Sequence, residues 1–398
     1  MSVEIVSLGC RLNIAESEAI RGFLADGPPT VVVNSCAVTA EAVRQSRRAV
    51  RRLRREHPDA RLVVTGCAAT IEEQAFSGMA EVDAVVLNPA KLAPESWGAV
   101  AAPAPSPSAH HTRAFVPVQT GCDHACTFCI IPQGRGKSVS LPIVDVLQAV
   151  NSAITRTIPE RHLSIHEVVL TGVDVTSWGT ELTTGQRLGD LVLAILDAFP
   201  DLPRLRLSSL DGVEIDPLLF DLITTHPRVM PHVHLSLQSG DDMILKRMKR
   251  RHSRRDAIKL AQRLKAARPD IAIGADLIAG FPTETEEMHA NNLSIVRECS
   301  VVHGHIFPYS PRPGTPAARM PQVAPLLVRE RAAELRAVVA QERDHWLRSL
   351  VGKPAQVLAE RDGTGHAAHF ATYRVPQGTP PGQLVTCTPT RIIEGILE

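Results

Sequence analysis

The first 90 positions carry short apolar runs, each followed by a helix-competent stretch. The runs are Val3-Glu4-Ile5-Val6, Thr30-Val31-Val32-Val33 and Arg61-Leu62-Val63-Val64. This alternation predicts a parallel sheet covered by helices. It restarts near Ala114 and predicts six more strands, at Phe115–Gln119, Val168–Thr171, Arg204–Leu207, Val233–Leu237, Ile271–Ala275 and Val301–Phe307. Helical segments fall between them, for example Arg254–Ala267 and Glu284–Cys299. Six strand–helix units suit an incomplete α/β barrel, with an open sheet allowed by the same pattern. Val323–Leu350 predicts one long helix, and the Gly-, Pro- and Thr-rich stretch after it a small β-barrel. The expected segmentation is 1–97, a linker at 98–113 built of Ala, Pro and Ser, 114–350, and 351–398.

Composition adds bounds. With 44% apolar and 21% charged residues over 398 positions, the chain reads as globular with two or three domains. No segment approaches the run of about 20 apolar residues that spans a bilayer, and the opening residues lack an export signal. A cytoplasmic setting is expected, where the eight cysteines serve metal or redox chemistry rather than disulfides. The net charge of +1 places any polyanion surface in a local patch.

The cysteines carry the chemistry. Cys122, Cys126 and Cys129 form C-x3-C-x2-C just after the strand that opens the second segment. Structural zinc takes four protein ligands; no fourth Cys or His follows at suitable spacing, and His124 would have to fold back. Three thiolates leave one iron of a [4Fe–4S] cluster open to an outside ligand. A zinc or redox loop is the competing reading. Cys10, Cys36 and Cys67 each stand three or four residues past a predicted strand, after a Gly or Ser. In a parallel sheet these positions share one edge, where ligand sites form; buried core cysteines are the alternative. Cys299 and Cys387 read as packing residues.

The segment Gly121-Cys122-Asp123-His124-Ala125-Cys126-Thr127-Phe128-Cys129-Ile130-Ile131-Pro132, with Arg135-Gly136 beyond it, resembles the radical-SAM methylthiotransferases. So does the three-cysteine segment before it, and the likeness covers the whole chain. It implies a cluster-binding N-terminal α/β domain, a partial (β/α)6 radical-SAM barrel and a C-terminal TRAM-like RNA-binding module. Leu8-Gly9-Cys10-Arg11-Leu12-Asn13, Asn34-Ser35-Cys36-Ala37-Val38-Thr39, Leu170-Thr171-Gly172-Val173-Asp174 and Phe307-Pro308-Tyr309-Ser310 are similar to the branch acting on N6-threonylcarbamoyladenosine in tRNA. Ser35 departs from the usual Thr. Sister branches act on isopentenyladenosine in tRNA or on a ribosomal-protein aspartate.

The resemblance implies two [4Fe–4S] clusters, at Cys122/Cys126/Cys129 and Cys10/Cys36/Cys67, with S-adenosylmethionine on the open iron of the first. It implies hydrogen removal from adenine C2 of residue 37, sulfur delivery from the second cluster, and a methyl group from a second S-adenosylmethionine. An electron donor such as flavodoxin or ferredoxin and a sulfur source are implied partners. Phe128 is expected to pack on the cofactor adenine and Gly172 to admit its amino group. Ser208, Gln238 and Asp276 are expected at or just past strand ends, the active face of such barrels.

Arginines 44, 47, 48, 51, 52, 54 and 55 share one predicted helix and form a basic face. A second basic run is Lys246, Arg247, Lys249, Arg250, Arg251, Arg254 and Arg255. Both are candidate phosphate contacts for tRNA, or plain solvated faces. Residues 351–398 hold four basic and four acidic side chains, so RNA binding there would rest on shape and hydrogen bonds. A non-catalytic metal-binding tRNA partner is the reading from another class.

Overall fold

The computed structural model describes residues 3–25, 27–99, 111–155 and 165–398. Most of the expected linker, residues 100–110, lies outside them.

The N-terminal apolar runs form a four-stranded parallel sheet in the order β1 (Val3–Ser7), β2 (Thr30–Ser35), β3 (Arg61–Gly66), β4 (Ala84–Val86). Val33 pairs with Val6 on one side and Val64 on the other, which sets all three strand ends level. Helix α1 (Arg11–Phe23) begins at Cys10 and α2 (Ala40–Glu56) at Thr39, whose hydroxyl accepts the Ala42 amide. In α2, Val43, Ser46, Ala49, Val50 and Leu53 repeat at three- and four-residue spacing, and this stripe is the buried face.

The six strands expected after Ala114 are all present. Ala114–Pro117, Glu167–Thr171 and Arg204–Leu207 pair in parallel, as do His232–Gln238, Ala272–Ala279 and Val301–Pro308. Single parallel bridges at Leu205–Val229 and Leu210–Leu235 join the two halves in chain order, giving an incomplete barrel. Alternate residues (Val168, Leu170, Leu205, Leu207, Val233, Leu235, Ile273, Ala275) face the outer helices in one continuous core. The intervening ones, Glu167, Arg206, His232, His234 and Asp276, line the opposite, inner face.

The long helix Pro325–Arg348 packs on the last barrel strand, where a Cβ on Gly304 would lie 2.7 Å from Val339. Residues 355–397 form a six-stranded, mainly antiparallel sheet. It closes the barrel end where the strands begin. Arg204 donates to the carbonyls of Gln356 (2.6 Å) and His366 (3.2 Å), and the Phe370 ring sits 5.0 Å from His232 and 4.7 Å from His366.

Candidate active site between two sets of three cysteines

All eight thiols are free. Cys36 and Cys67 directly follow β2 and β3 and Cys10 stands three residues past β1, all at the level strand ends that their positions in the sequence predict. Gly9 (φ +93°) and Gly66 (φ +94°) keep this edge clear: a Cβ on Gly9 would sit 2.7 Å from Cys36 Sγ, and one on Gly66 2.3 Å from the Ser35 carbonyl. Burial pushes the Cys36 thiol up to about 11, and the nearby Cys10 and Cys67 sulfurs push the same way. Asn88 Nδ2 approaches Cys67 Sγ at 3.6 Å.

The second set lies on the loop after the first barrel strand. Gly121, at φ +71°, would carry a Cβ only 1.8 Å from the Lys137 carbonyl, so no other residue fits. Cys122 donates its amide to Gly136, and Thr127 fastens the loop through bonds to the Met248 (3.1 Å) and Arg247 (2.7 Å) carbonyls. Burial raises the Cys122 thiol to about 12 and the Cys129 thiol to about 11. The thiol protons must therefore leave when a metal binds. The His124 amide lies 3.4 Å and Asp174 3.8 Å from Cys122 Sγ, and Arg250 lies 3.7 Å from Cys126 Sγ. The His124 ring reaches Asp174 (2.7 Å) and Glu214 (3.7 Å), whose hydrogen bonds raise it to about 10, and it stays within 4.8 Å of Cys122 Sγ. The ring is held by these two carboxylates and by Arg251 (2.9 Å), and the loop itself offers three thiols. Three thiols on one loop suit a [4Fe–4S] cluster with one open iron.

The two sets face each other. Ile130, next to Cys129, is buried in the N-terminal core, and the Cβ position of Gly134 is 3.4 Å from Cys67. Arg135 crosses the interface, donating to both Glu16 oxygens (2.7 and 2.9 Å) and to Asn13 (2.6 Å), while Lys91 meets the same carboxylate at 2.5 Å. Burial opposes Glu16 ionisation, and the two cations more than offset it, holding its pKa below normal.

Phe128 packs edge-on to Phe281 at 6.3 Å, in a cluster with Met248 and Ile278. Gly172 follows the second barrel strand, and its missing Cβ makes room for the Gln119 carbonyl at 2.7 Å. Ser208 and Gln238 lie at strand ends as expected, Gln238 with φ +67°. Neither side chain has a hydrogen-bond partner among the described residues. Asp276 departs from expectation. Its strand runs on to Ala279, so it lies inside the barrel rather than at the strand end. There it accepts from His234 (2.9 Å) and His305 (3.1 Å) and is held at about 2, burial being outweighed by the two imidazoles.

The basic runs divide. On α2, Arg44, Arg48, Arg51 and Arg52 keep 54–71% of their side chains exposed beside Glu41, Glu81 and Glu56, while Arg47 pairs with Glu72 and Arg54 is pinned to Asp83 and four carbonyls. The second run is largely structural. Arg250 binds Asp211 and the Ser236 carbonyl, Arg251 binds Asp211 and Glu214, and Arg254 binds the Gly240 and Asn291 carbonyls. Sequence reasoning also missed Gln119. Its Oε1 accepts the Val173 and Asp174 amides and its Nε2 donates to Gly121, tying the second strand end to the cysteine loop.

Residues 116–293 match the Radical SAM superfamily, and residues 2–87 the Uncharacterized protein family UPF0004. The chain is 41% identical, over 99% of its length and 96% of the relative's, to the threonylcarbamoyladenosine tRNA methylthiotransferase MtaB of Rickettsia prowazekii. It is 31% identical to the tRNA-2-methylthio-N(6)-dimethylallyladenosine synthase of Paracoccus denitrificans, over 90% of this chain and 86% of that one. Among solved structures it is similar in fold to the radical S-adenosylmethionine methyltransferase TsrM of Kitasatospora setae, with TM-score 0.51, 16% identity, and 76% and 66% of the two chains covered.

Proposed function

The chain belongs to the radical-SAM tRNA methylthiotransferases, and on that premise we propose that it adds a methylthio group to C2 of N6-threonylcarbamoyladenosine at position 37 of tRNAs reading codons that start with A. Family membership brings one [4Fe–4S] cluster and S-adenosylmethionine. We assign that cluster to Cys122, Cys126 and Cys129, and a second to Cys10, Cys36 and Cys67. The observation that carries the assignment is the facing of two separate sets of three free thiols. The threonylcarbamoyl substrate is supported by the 41% identity to a relative of that name and by the residues around Cys10 and Cys36.

When bound, the barrel cluster and its cofactor supply one-electron cleavage to a carbon radical able to take hydrogen from an inert C–H bond. The chain positions the parts. Gln119 fixes the Gly172–Asp174 turn beside Cys122, Phe128 offers an apolar face to the adenine, and the unpartnered Ser208 and Gln238 side chains supply polar contacts at the strand ends. The exposed arginines of α2 meet tRNA phosphates, and the C-terminal sheet serves as a TRAM-like RNA module. A one-electron carrier of the flavodoxin or ferredoxin class and a sulfur source complete the reaction.

Nucleoside mass spectrometry of tRNA from cells with and without the gene tests this reading. Deletion should remove 2-methylthio-N6-threonylcarbamoyladenosine and leave its precursor, and a Cys126→Ala copy should not restore it. Loss of the isopentenyl counterpart, or an altered ribosomal protein with unchanged tRNA, would move the chain to a sister branch.

A further inference from the structure

The inner face of the barrel ends in an unusual concentration of cations. Around the Phe370 ring stand the guanidinium groups of Arg206 at 4.8 Å, Arg113 at 5.3 Å and Arg11 at 5.7 Å. Arg204 lies beside Arg206 on the same inner face. Against these four cations stand two carboxylates: Glu167, bound to Arg206 and Arg204, and Glu360, bound to Arg113. The positive excess falls on Arg11. Among the described residues its guanidinium has no acceptor and touches only the faces of Phe115 (6.0 Å) and Phe370. Next to it, fully buried Arg206 leaves Nη1 without a partner, and both ring nitrogens of buried His232 are unpartnered as well.

A half-buried guanidinium among other cations, with donors beside it left unmade, is costly for a protein to keep unless an anion joins it. Arg11 follows Cys10 directly and leads α1 against the first barrel strand, so the anion would meet it at the inner face of the barrel, on the side of the N-terminal cysteine set. The row of inner residues is continuous from there. His232 lies 6.4 Å from His234, which holds Asp276 nearer the strand ends. An adenine held at the strand ends would direct a substituent on its far edge along this row.

We propose that Arg11, backed by Arg206 and His232, binds the carboxylate of the substrate's N6 substituent and so selects an acidic N6-modified adenosine over an uncharged one. This rests on the threonylcarbamoyl reading above and gives it a recognition site. Arg11 presents a planar fork that matches a carboxylate with two hydrogen bonds. Aromatic rings on either side hold the fork and exclude water, which strengthens the contact.

The test uses the reconstituted full-length protein and synthetic anticodon stem-loops carrying N6-threonylcarbamoyladenosine as the free acid or as its methyl ester. For each, kcat/KM for methylthiolation is measured, alongside iron content and 5′-deoxyadenosine formation. Wild type should prefer the acid by roughly ten- to a hundredfold, the size of a charge-assisted bond. Arg11→Gln should bring the acid-to-ester ratio close to one at unchanged iron content. Arg11→Lys, which keeps the charge and loses the fork, should give an intermediate ratio and serves if the glutamine variant fails to load iron. A ratio in both variants equal to wild type would overturn the assignment of Arg11 alone. A wild-type protein inactive on the acid but active on an isopentenyl stem-loop would overturn the substrate reading and this site together.

Discussion

Glu16 holds the two cysteine-bearing units together, and replacing it should cost more than replacing either cation it binds. In Glu16→Gln, Lys91 and Arg135 remain buried with 1% and 3% of their side chains exposed. They approach one Glu16 oxygen at 2.5 and 2.9 Å, so they lie at most about 5.4 Å apart, those distances laid end to end. At an effective dielectric of about 20 their repulsion is roughly 3 kcal/mol, close to the 3–5 kcal/mol typical of breaking a buried pair. Arg135→Met leaves the neutral Glu16–Lys91 pair and should cost less, about 2 kcal/mol, in lost hydrogen bonds. Burial already lowers the Lys91 pKa, and loss of Glu16 lowers it further. Lysine deprotonation should therefore relieve the Glu16→Gln variant as pH rises from 7 to 9. Urea midpoints followed by circular dichroism at both pH values, on iron-loaded protein, measure each effect. A glutamine variant less destabilised than the methionine one, or no rescue at pH 9, would refute this account of the interface.

Gly9→Ala and Gly121→Ala crowd different cysteine sets, so each should cut iron from about eight to about four per chain, with cofactor cleavage lost only in Gly121→Ala; iron analysis and 5′-deoxyadenosine assays read both. Arg48, Arg51 and Arg52 changed together to Glu should weaken tRNA binding and lower its log–log salt slope by about 2, while cofactor cleavage without tRNA persists. Glu167 is held at about 2 although burial opposes it, because Arg206 favours its charged form. Its folded pKa lies below the unfolded one, so its contribution, about 3 kcal/mol, is full above about pH 4.5 and is lost as pH falls towards 2. Glu167→Gln should narrow the gap to wild type over that range in urea titrations.

Both sets of cysteines were legible in the sequence because their spacing follows strand geometry: one local loop, and three positions three or four residues past Val6, Val33 and Val64. The six barrel strands were legible because β-branched runs alternate with helix-forming stretches. Arg135 was visible only as a family residue, since its partners Glu16 and Asn13 are more than a hundred positions away and no periodicity links them. Asp276 was misplaced because the apolar run of its strand breaks at that residue, whereas backbone pairing with His305 carries the strand on to Ala279. The run at 246–255 misled for a related reason. Charge density cannot distinguish a solvated arginine from Arg250 or Arg254, whose forks bond internal carbonyls.

The seating of Phe370 at the base of the barrel bears on truncation experiments. Residues 351–398 act as a stopper as well as an appendage: Phe370 takes a left-handed backbone (φ +71°) and presses its ring against His232 and His303, while Arg204 is anchored to the Gln356 and His366 carbonyls. A chain ending near residue 350 would admit water from below to Arg206 and Glu167 and strand the Arg204 guanidinium. Activity lost on such a cut would report a barrel opened to water as readily as a missing grip on RNA. Point changes on the outer face of the small sheet, with Phe370 left in place, separate the two.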